Sequence, residues 1–146
     1  FGPKALLLAA EHGDGWMTSG PDAEMLARYR SAGGKGGTYG AMKVCWGDDE
    51  DNARKLAHEI WPTSGVPGQL NQDMPTPAHF EQAASNVTVE QATEGTPCGP
   101  DPERYVEAYT PFLDAGFDEV GITQIGPDQE GFFRFYECEL RDRLAD

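Results

Sequence analysis

The sequence predicts an α/β fold built on a parallel sheet, and three observations carry that expectation. Helical and strand-like segments alternate along the chain, the turns from strand into helix are rich in glycine, and the 146 residues amount to one domain at most. Glycine (18) and proline (11) are plentiful and the hydrophobic share is 38%, so much of the chain belongs to loops. The patterned apolar segments still exclude wholesale disorder.

The elements follow in order. Pro3 sets the first turn of a helix that runs to His12, and Gly13 closes it. Gly15–Thr18 reads as a short strand, stopped by Ser19, Gly20 and Pro21. Asp22 caps a helix over 23–32 whose Met25, Leu26 and Tyr29 share a face. Five residues at 33–37, four of them glycine, form a flexible connection. A strand over 39–46 carries Ala41, Val44 and Trp46 as its apolar members. Asp48 or Asp49 starts a helix to about Trp61, with Ala53, Leu56, Ala57 and Ile60 at helical spacing. Residues 62–77 are polar and proline-interrupted, unusually long for a connection in a compact domain. Short helices over 77–85 and 88–93, a helix over 103–115, a strand over 117–124 and a last helix over 130–144 complete the chain. Only three strands are visible, and three parallel strands leave both sheet edges open.

Charge narrows the partners. Lys+Arg number 11 against 25 Asp+Glu, a net charge of −14, so nucleic acid and anionic membrane surfaces are repelled. No apolar run approaches a membrane span. Cys45, Cys98 and Cys138 are scattered without a Cys-x-x-Cys pair and read as reduced thiols of a cytoplasmic protein. The chain opens on Phe1, Gly2 and Pro3 without an initiator methionine, and reads as cut in mid-element.

Several longer segments then point to a family. They are Lys43-Val44-Cys45-Trp46, Pro67 to Leu70, Pro75 to Gln82, Cys98 to Arg104, Ala115 to Val120 and Gln124 to Tyr136. Together they resemble the luciferase-like flavin and deazaflavin oxidoreductases, in the subgroup similar to coenzyme F-420 (F420)-dependent glucose-6-phosphate dehydrogenase. The resemblance implies a (β/α)8 TIM barrel, of which residues 1–146 would be the C-terminal half. A whole barrel needs roughly 250 residues. Phe1, Gly2 and Pro3 would end strand five, Gly15–Thr18 would be strand six, 39–46 strand seven and 117–124 strand eight. A helical insertion over about 62–95 would precede the last strand.

Barrel active sites lie at the C-terminal ends of the strands. The resemblance places the cofactor's phosphate-bearing tail at the loops after strands five and six, which assigns Gly2, Pro3, Thr18, Ser19 and Gly20 to cofactor binding. Small residues let backbone N–H groups approach an anion, hydroxyls add donors, and a helix N-terminus favours negative charge. Lys4 is a candidate counter-charge. Trp46, His79 and Gln124 are candidates for the substrate pocket, Trp46 and Gln124 by their place at strand ends and His79 by its place in the insertion.

The implied cofactor is F420, with FMN as the alternative, and the implied reaction is hydride transfer to or from a small organic molecule. An FMN-dependent luciferase-like monooxygenase is the rival within the family. A small non-catalytic α/β binding protein is the rival from outside it. Open barrel edges lead us to expect a homo-oligomer or self-association. The resemblance puts the acid–base residues in the first half of the barrel, so no catalytic residue is named in this chain.

Two departures bear on the substrate. Pro21 stands where the glucose-6-phosphate enzymes carry a lysine after the Thr-Ser-Gly turn, and Glu94-Gly95 where they carry an arginine. Glucose 6-phosphate is therefore not the expected substrate. Other eye-catching residues have plainer readings. His12 at a helix C-terminus and Asp14 in a turn are too few ligands for a metal site, and none is expected. His58 reads as surface, and the acidic run at 48–51 as a helix N-terminal cluster without EF-hand spacing. Phe132, Phe133, Phe135 and Tyr136 repeat at helical spacing and read as packing of the last helix against the sheet.

Overall fold

Helix, strand and cap signals written into the sequence become real elements in the structure, a computed structural model that describes residues 2–145, the side chain of Gln72 excepted. Phe1, expected with Gly2 and Pro3 at a strand end, lies outside the described residues. The order is α1 (Pro3–His12), β1 (Gly15–Thr18), α2 (Ala23–Ser31), β2 (Gly37–Val44) and α3 (Glu50–Ile60). A 3-10 turn (Pro62–Gly65) and the short helices α4 (Leu70–Asp73), α5 (Pro77–Ala84) and α6 (Val89–Ala92) make up the insertion. Then come α7 (Pro102–Ala115), β3 (Glu119–Gln124), α8 (Gln129–Phe135), a π turn (Tyr136–Leu140) and α9 (Arg141–Leu144). No described helix is long and apolar enough to cross a membrane.

The sheet has the order β1-β2-β3. Gly15 pairs with Gly37 and Thr18 with Gly40, so β1 and β2 are parallel. The Asp118 N–H donates to Thr38 O (3.0 Å) and the Ile125 N–H to Val44 O (2.9 Å). Both partners advance together along the chain, so β3 is parallel as well. β2 starts two residues earlier than expected because Gly37 finds its partner in Gly15, and it ends at Val44 because Cys45 leaves the strand to bridge Cys98.

The chain forms two compact units, one of residues up to Met42 with Glu107–Thr123, the other of Lys43–Val106 with residues from Gln124 onward. In the first, Trp16 lies between Tyr29 and Phe117, each ring centroid 5.9 Å away, and Phe112 meets Phe117 edge-on. Leu26 and Tyr29 of α2 are buried as their shared face requires. Within the glycine run expected to be slack, Gly33 is open but Gly34, Gly36 and Gly37 are close-packed: a Cβ on Gly36 would stand 1.9 Å from Asp14 O, and Arg30 Nη1 donates to Gly36 O (2.7 Å). Along β2, Thr38, Gly40 and Met42 are buried while Tyr39 and Ala41 are half-buried. Met17 is 69% exposed, and Glu119, Gly121 and Thr123 are exposed on β3. This unit therefore packs one face of its sheet and leaves the other largely uncovered, whereas parallel sheets are normally buried on both.

In the second unit, Ala53 and Ala57 of α3 pack with Cys45 and Cys98, joined by Leu56 and Ile125. Ile60, expected on that face, is 43% exposed. His58, expected at the surface, is half-buried with Nε2 2.8 Å from Val87 O. Phe132 and Phe135 are buried, whereas Phe133 from the same cluster is 60% exposed. Thr88 and Gln91 close α6 with a reciprocal capping box.

One carboxylate gathers the start of β3. Asp118 Oδ2 accepts from Thr38 N (2.7 Å), Thr38 Oγ1 (2.8 Å) and Arg30 Nη2 (2.9 Å). The Thr38 hydrogen bonds, with Arg30 adding attraction, hold its carboxyl below the usual carboxylate range. A depressed carboxyl adds stability that is complete above the unfolded value of about 3.9 and lost as pH falls through the lower folded value. Asp118→Asn is expected to melt below wild type at neutral pH, the gap closing as pH falls through the lowered folded value; thermal melts across pH check this. Gly40→Ala is a second test, because its Cβ would sit 2.5 Å from Phe112 Cδ1. It is expected to cost about 1–3 kcal/mol in urea unfolding through overpacking.

Candidate functional site

The first candidate site begins with a glycine. Gly2 is the N-cap of α1 with φ +96°, a conformation only glycine adopts without strain, and Pro3 follows it. No side chain caps this helix. The Leu6 N–H donates to Gly2 O at 3.1 Å, and the amides of Lys4 and Ala5 have no acceptor among the described residues. α2 starts differently: Asp22 Oδ1 accepts from Met25 N (2.9 Å), so its end already holds a carboxylate. Both ends border a cavity of about 530 Å³ whose wall includes Gly2, Leu6, Trp16, Thr18, Asp22 and Met25.

Of the five residues expected to hold a cofactor tail, Gly2 and Thr18 line this cavity. Thr18 is half-buried, and among the described residues its hydroxyl has no hydrogen-bond partner. Pro3 and Ser19 are exposed beside it. Gly20 contributes its carbonyl to Asp22 N (3.0 Å) rather than an amide to the cavity, and a Cβ there would meet nothing within 4 Å. Lys4 is exposed on the first turn of α1. Chemically, the cavity offers an open helix end and a free hydroxyl to an anion, while the Asp22 carboxylate on the same wall repels one.

The second candidate cluster lies in the other unit. Gln124 is buried, and both ends of its amide grip the backbone of Trp46: Oε1 accepts from Trp46 N (2.8 Å) and Nε2 donates to Trp46 O (3.2 Å). Gln129 Nε2 then donates to Gln124 O (3.1 Å) and Gly126 O (2.7 Å), fixing the turn after β3. The Trp46 ring tilts against Phe135 at 6.0 Å, and its buried Nε1 has no hydrogen-bond partner among the described residues. Trp46 and Gln124 are thus brought together, but as a backbone clamp. His79 is exposed on α5, with Nδ1 2.9 Å from Thr76 Oγ1, and no hydrogen bond joins it to either. A second hollow of about 450 Å³, lined by Thr63, Met74, Pro75, Thr76, Pro77 and Phe80, lies within the insertion.

The thiols of Cys45 and Cys98 and the phenol of Tyr105 are held neutral. Burial, then the neighbouring Cys45, pushes the Cys98 thiol up to about 11, and burial raises Cys45 and Tyr105 as well. Tyr105 Oη donates to Gly99 O at 2.7 Å. No group of three or more potential metal-binding side chains exists among the described residues. His12 is exposed with Nε2 3.6 Å from Glu11 Oε1.

Sequence reasoning missed Lys43. Its Nζ donates to Ser64 Oγ (2.7 Å) and lies 4.6 Å from the centre of the Trp61 ring, and burial lowers its pKa. The available signal was a lone charge inside an otherwise apolar strand, between Met42 and Val44.

No family model matches the chain. It is 27% identical to the F420-dependent glucose-6-phosphate dehydrogenase of Microbacterium testaceum (strain StLB037) over 98% of this chain and 46% of that protein. It is 26% identical to the enzyme of the same name from Nakamurella multipartita, with the same coverage. Among solved structures, an F420-dependent secondary alcohol dehydrogenase in complex with an F420-acetone adduct superposes with TM-score 0.76 at 20% identity, over 99% of this chain and 47% of that one. Coenzyme F420-dependent tetrahydromethanopterin reductase from Methanopyrus kandleri gives 0.64 at 18% identity, over 98% and 49%. The resemblance read from the sequence therefore holds: the relatives are F420-dependent oxidoreductases, and this chain spans about half their length with the α/β fold of half such an enzyme.

The Gln124 clamp is directly testable. Gln124→Leu removes both partners of the Trp46 backbone and is expected to cost about 2–4 kcal/mol in urea unfolding. Gln124→Glu keeps the acceptor but sets a second carboxylate oxygen against Trp46 O. Burial and that carbonyl raise the folded pKa of the new carboxyl, so its penalty is largest at neutral pH and shrinks as pH falls through that value.

Proposed function

We propose that this chain is the C-terminal half of the barrel of an F420-dependent oxidoreductase, with β1, β2 and β3 as strands six, seven and eight. The observation that carries the reading is the uncapped, glycine-led start of α1, opening beside Thr18 onto a cavity at the C-terminal end of a parallel strand. That is where α/β folds hold phosphate-bearing ligands. The names of the relatives supply the kind of ligand. The uncovered sheet face supports the half-barrel reading, since it would bury against the remaining strands.

When bound, the deazaflavin supplies a hydride acceptor or donor for a small organic substrate. In this chain, the amides of Lys4 and Ala5 and the hydroxyl of Thr18 receive the phosphate-bearing tail, with Ser19 and Gly20 in the same turn. Asp22 keeps α2 from competing for the anion by capping it. The Gln124 clamp fixes Trp46 at the end of β2 and keeps the strand-end loops in register.

Glucose 6-phosphate is not the substrate in this reading. Pro21 and Glu94, both exposed, stand where the resemblance expects basic residues. Three free cysteines support a reducing, cytoplasmic setting. Exposed Leu7, Leu8 and Met17, with β1 and β3 as sheet edges, support self-association of the isolated chain.

The test is cofactor retention by the full-length protein, followed by absorbance and fluorescence. F420 binding, weakened about tenfold by Thr18→Val through loss of one hydrogen bond to a charged group, is the expected outcome. Retention of FMN in its place, or F420 affinity indifferent to Thr18, would overturn the assignment.

A further inference from the structure

Only two of the described lysine and arginine side chains are half-buried rather than exposed, Lys43 and Arg54. Arg54 has Glu50 as a counter-charge at 3.7 Å. Lys43 has no carboxylate within ion-pair reach among the described residues, in a chain with 25 acidic residues. A desolvated ammonium without a counter-ion is unfavourable, and the Ser64 oxygen with the Trp61 ring face offsets that only in part. Two of its three N–H donors have no acceptor among the described residues.

Placement makes this more than a packing detail. Lys43 alternates with the buried Met42 and Val44, so it projects from the opposite face of β2, close to the strand's C-terminal end. Trp61 is 44% exposed and Lys43 and Ser64 are half-buried, so the cluster borders solvent. Ser64 Oγ accepts from Lys43, which leaves the serine hydrogen free to donate to the same ligand.

We propose that Lys43, Ser64 and Trp61 form an anion-binding subsite that takes the carboxylate or phosphate group of the small organic substrate. This deepens the oxidoreductase reading and rests on it for the word substrate. It also gives the absent bases at positions 21 and 94 a counterpart: the anionic group is held from β2 and the turn after α3. An oxyanion accepts from both Lys43 Nζ and Ser64 Oγ and supplies the missing counter-charge.

The experiment titrates the full-length protein, without F420, with acetate in one arm and inorganic phosphate in the other. Ionic strength is held constant with chloride. Calorimetry reads binding, and tryptophan fluorescence reads Trp61. Saturable binding in one arm is expected, and that arm identifies a carboxylate or a phosphate ligand. Lys43→Met should weaken it about tenfold or more, and Ser64→Ala, which keeps the ammonium, severalfold. Trp61→Phe should remove the fluorescence change and keep the calorimetric signal.

If neither anion saturates the wild-type site, or if Ser64→Ala and Lys43→Met bind as wild type does, the subsite is overturned. Lys43 is then a strap holding the turn after α3. Should Lys43→Met fail to fold, Lys43→Arg and Ser64→Ala carry the comparison. F420 binding is measured separately on the wild-type protein, so failure of the cofactor reading leaves the anion result standing and the reverse also holds.

Discussion

The structure depends on how β3 is fastened to β2. Parallel strands share slanted, slightly weaker hydrogen bonds than antiparallel ones, and β3 spans only Glu119–Gln124. Side chains at its two ends complete the attachment. At one end Asp118 draws in the amide and hydroxyl of Thr38 and the guanidinium of Arg30. At the other, Gln124 bonds both backbone groups of Trp46, just past the last residue of β2. The lower attachment is ionic, partly exposed and made by three donors on one carboxylate oxygen. The upper one is neutral and buried, where a charge would be unfavourable. The loops that follow β2 and β3 inherit their positions from that upper grip.

Much of this was legible in the sequence because local chemistry decided it. Pro3 and Gly13 bracket α1, and Asp22 and Asp49 cap α2 and α3 with side-chain hydrogen bonds to the third residue on. β1 falls where its glycine-bounded segment puts it. What escaped was set by partners distant in sequence. The start of β2 is fixed by Gly15, and its end by Cys45 turning to Cys98. The last helix reads as continuous, yet its hydrogen bonds slip through a π turn at Tyr136–Leu140 that no residue type announces. Residues 62–77 read as irregular, and the structure finds a 3-10 turn and a short helix there.

The candidate site was legible in type and less so in detail. Thr18 and Gly2, both read from the sequence as strand-end residues, line one cavity. The sequence gives no means of telling which glycine matters. Gly2 holds φ +96° at an open helix end, whereas Gly20 has an ordinary φ and lends its carbonyl. Gln124 shows the opposite difficulty. An amide at a strand end can face a ligand or the backbone, and only the ends of two strands meeting decide between them. Lys43 was hidden because a lysine in a strand is normally a solvated residue, and its recess depends on Trp61 and Ser64 arriving from the turn after α3.

The placement of acidic residues ties these findings together. A chain of net charge −14 must put its carboxylates where they do least harm. Many sit at helix starts: Asp22, Asp49 and Asp128 each accept a backbone amide as an N-cap, and Asp101 does so for Glu103 at the start of α7. Those helix ends are therefore closed to outside anions. α5 begins uncapped on a proline, with Thr76 turned to His79. α1 also begins on a proline and uncapped, but with glycine before it and a cavity beside it. Lys43 is the complementary case, a recessed cation that no acidic residue among the described ones has been placed to meet. Among the described residues, the start of α1 and the Lys43 ammonium are thus two electropositive groups that this acidic chain leaves without a capping or pairing carboxylate.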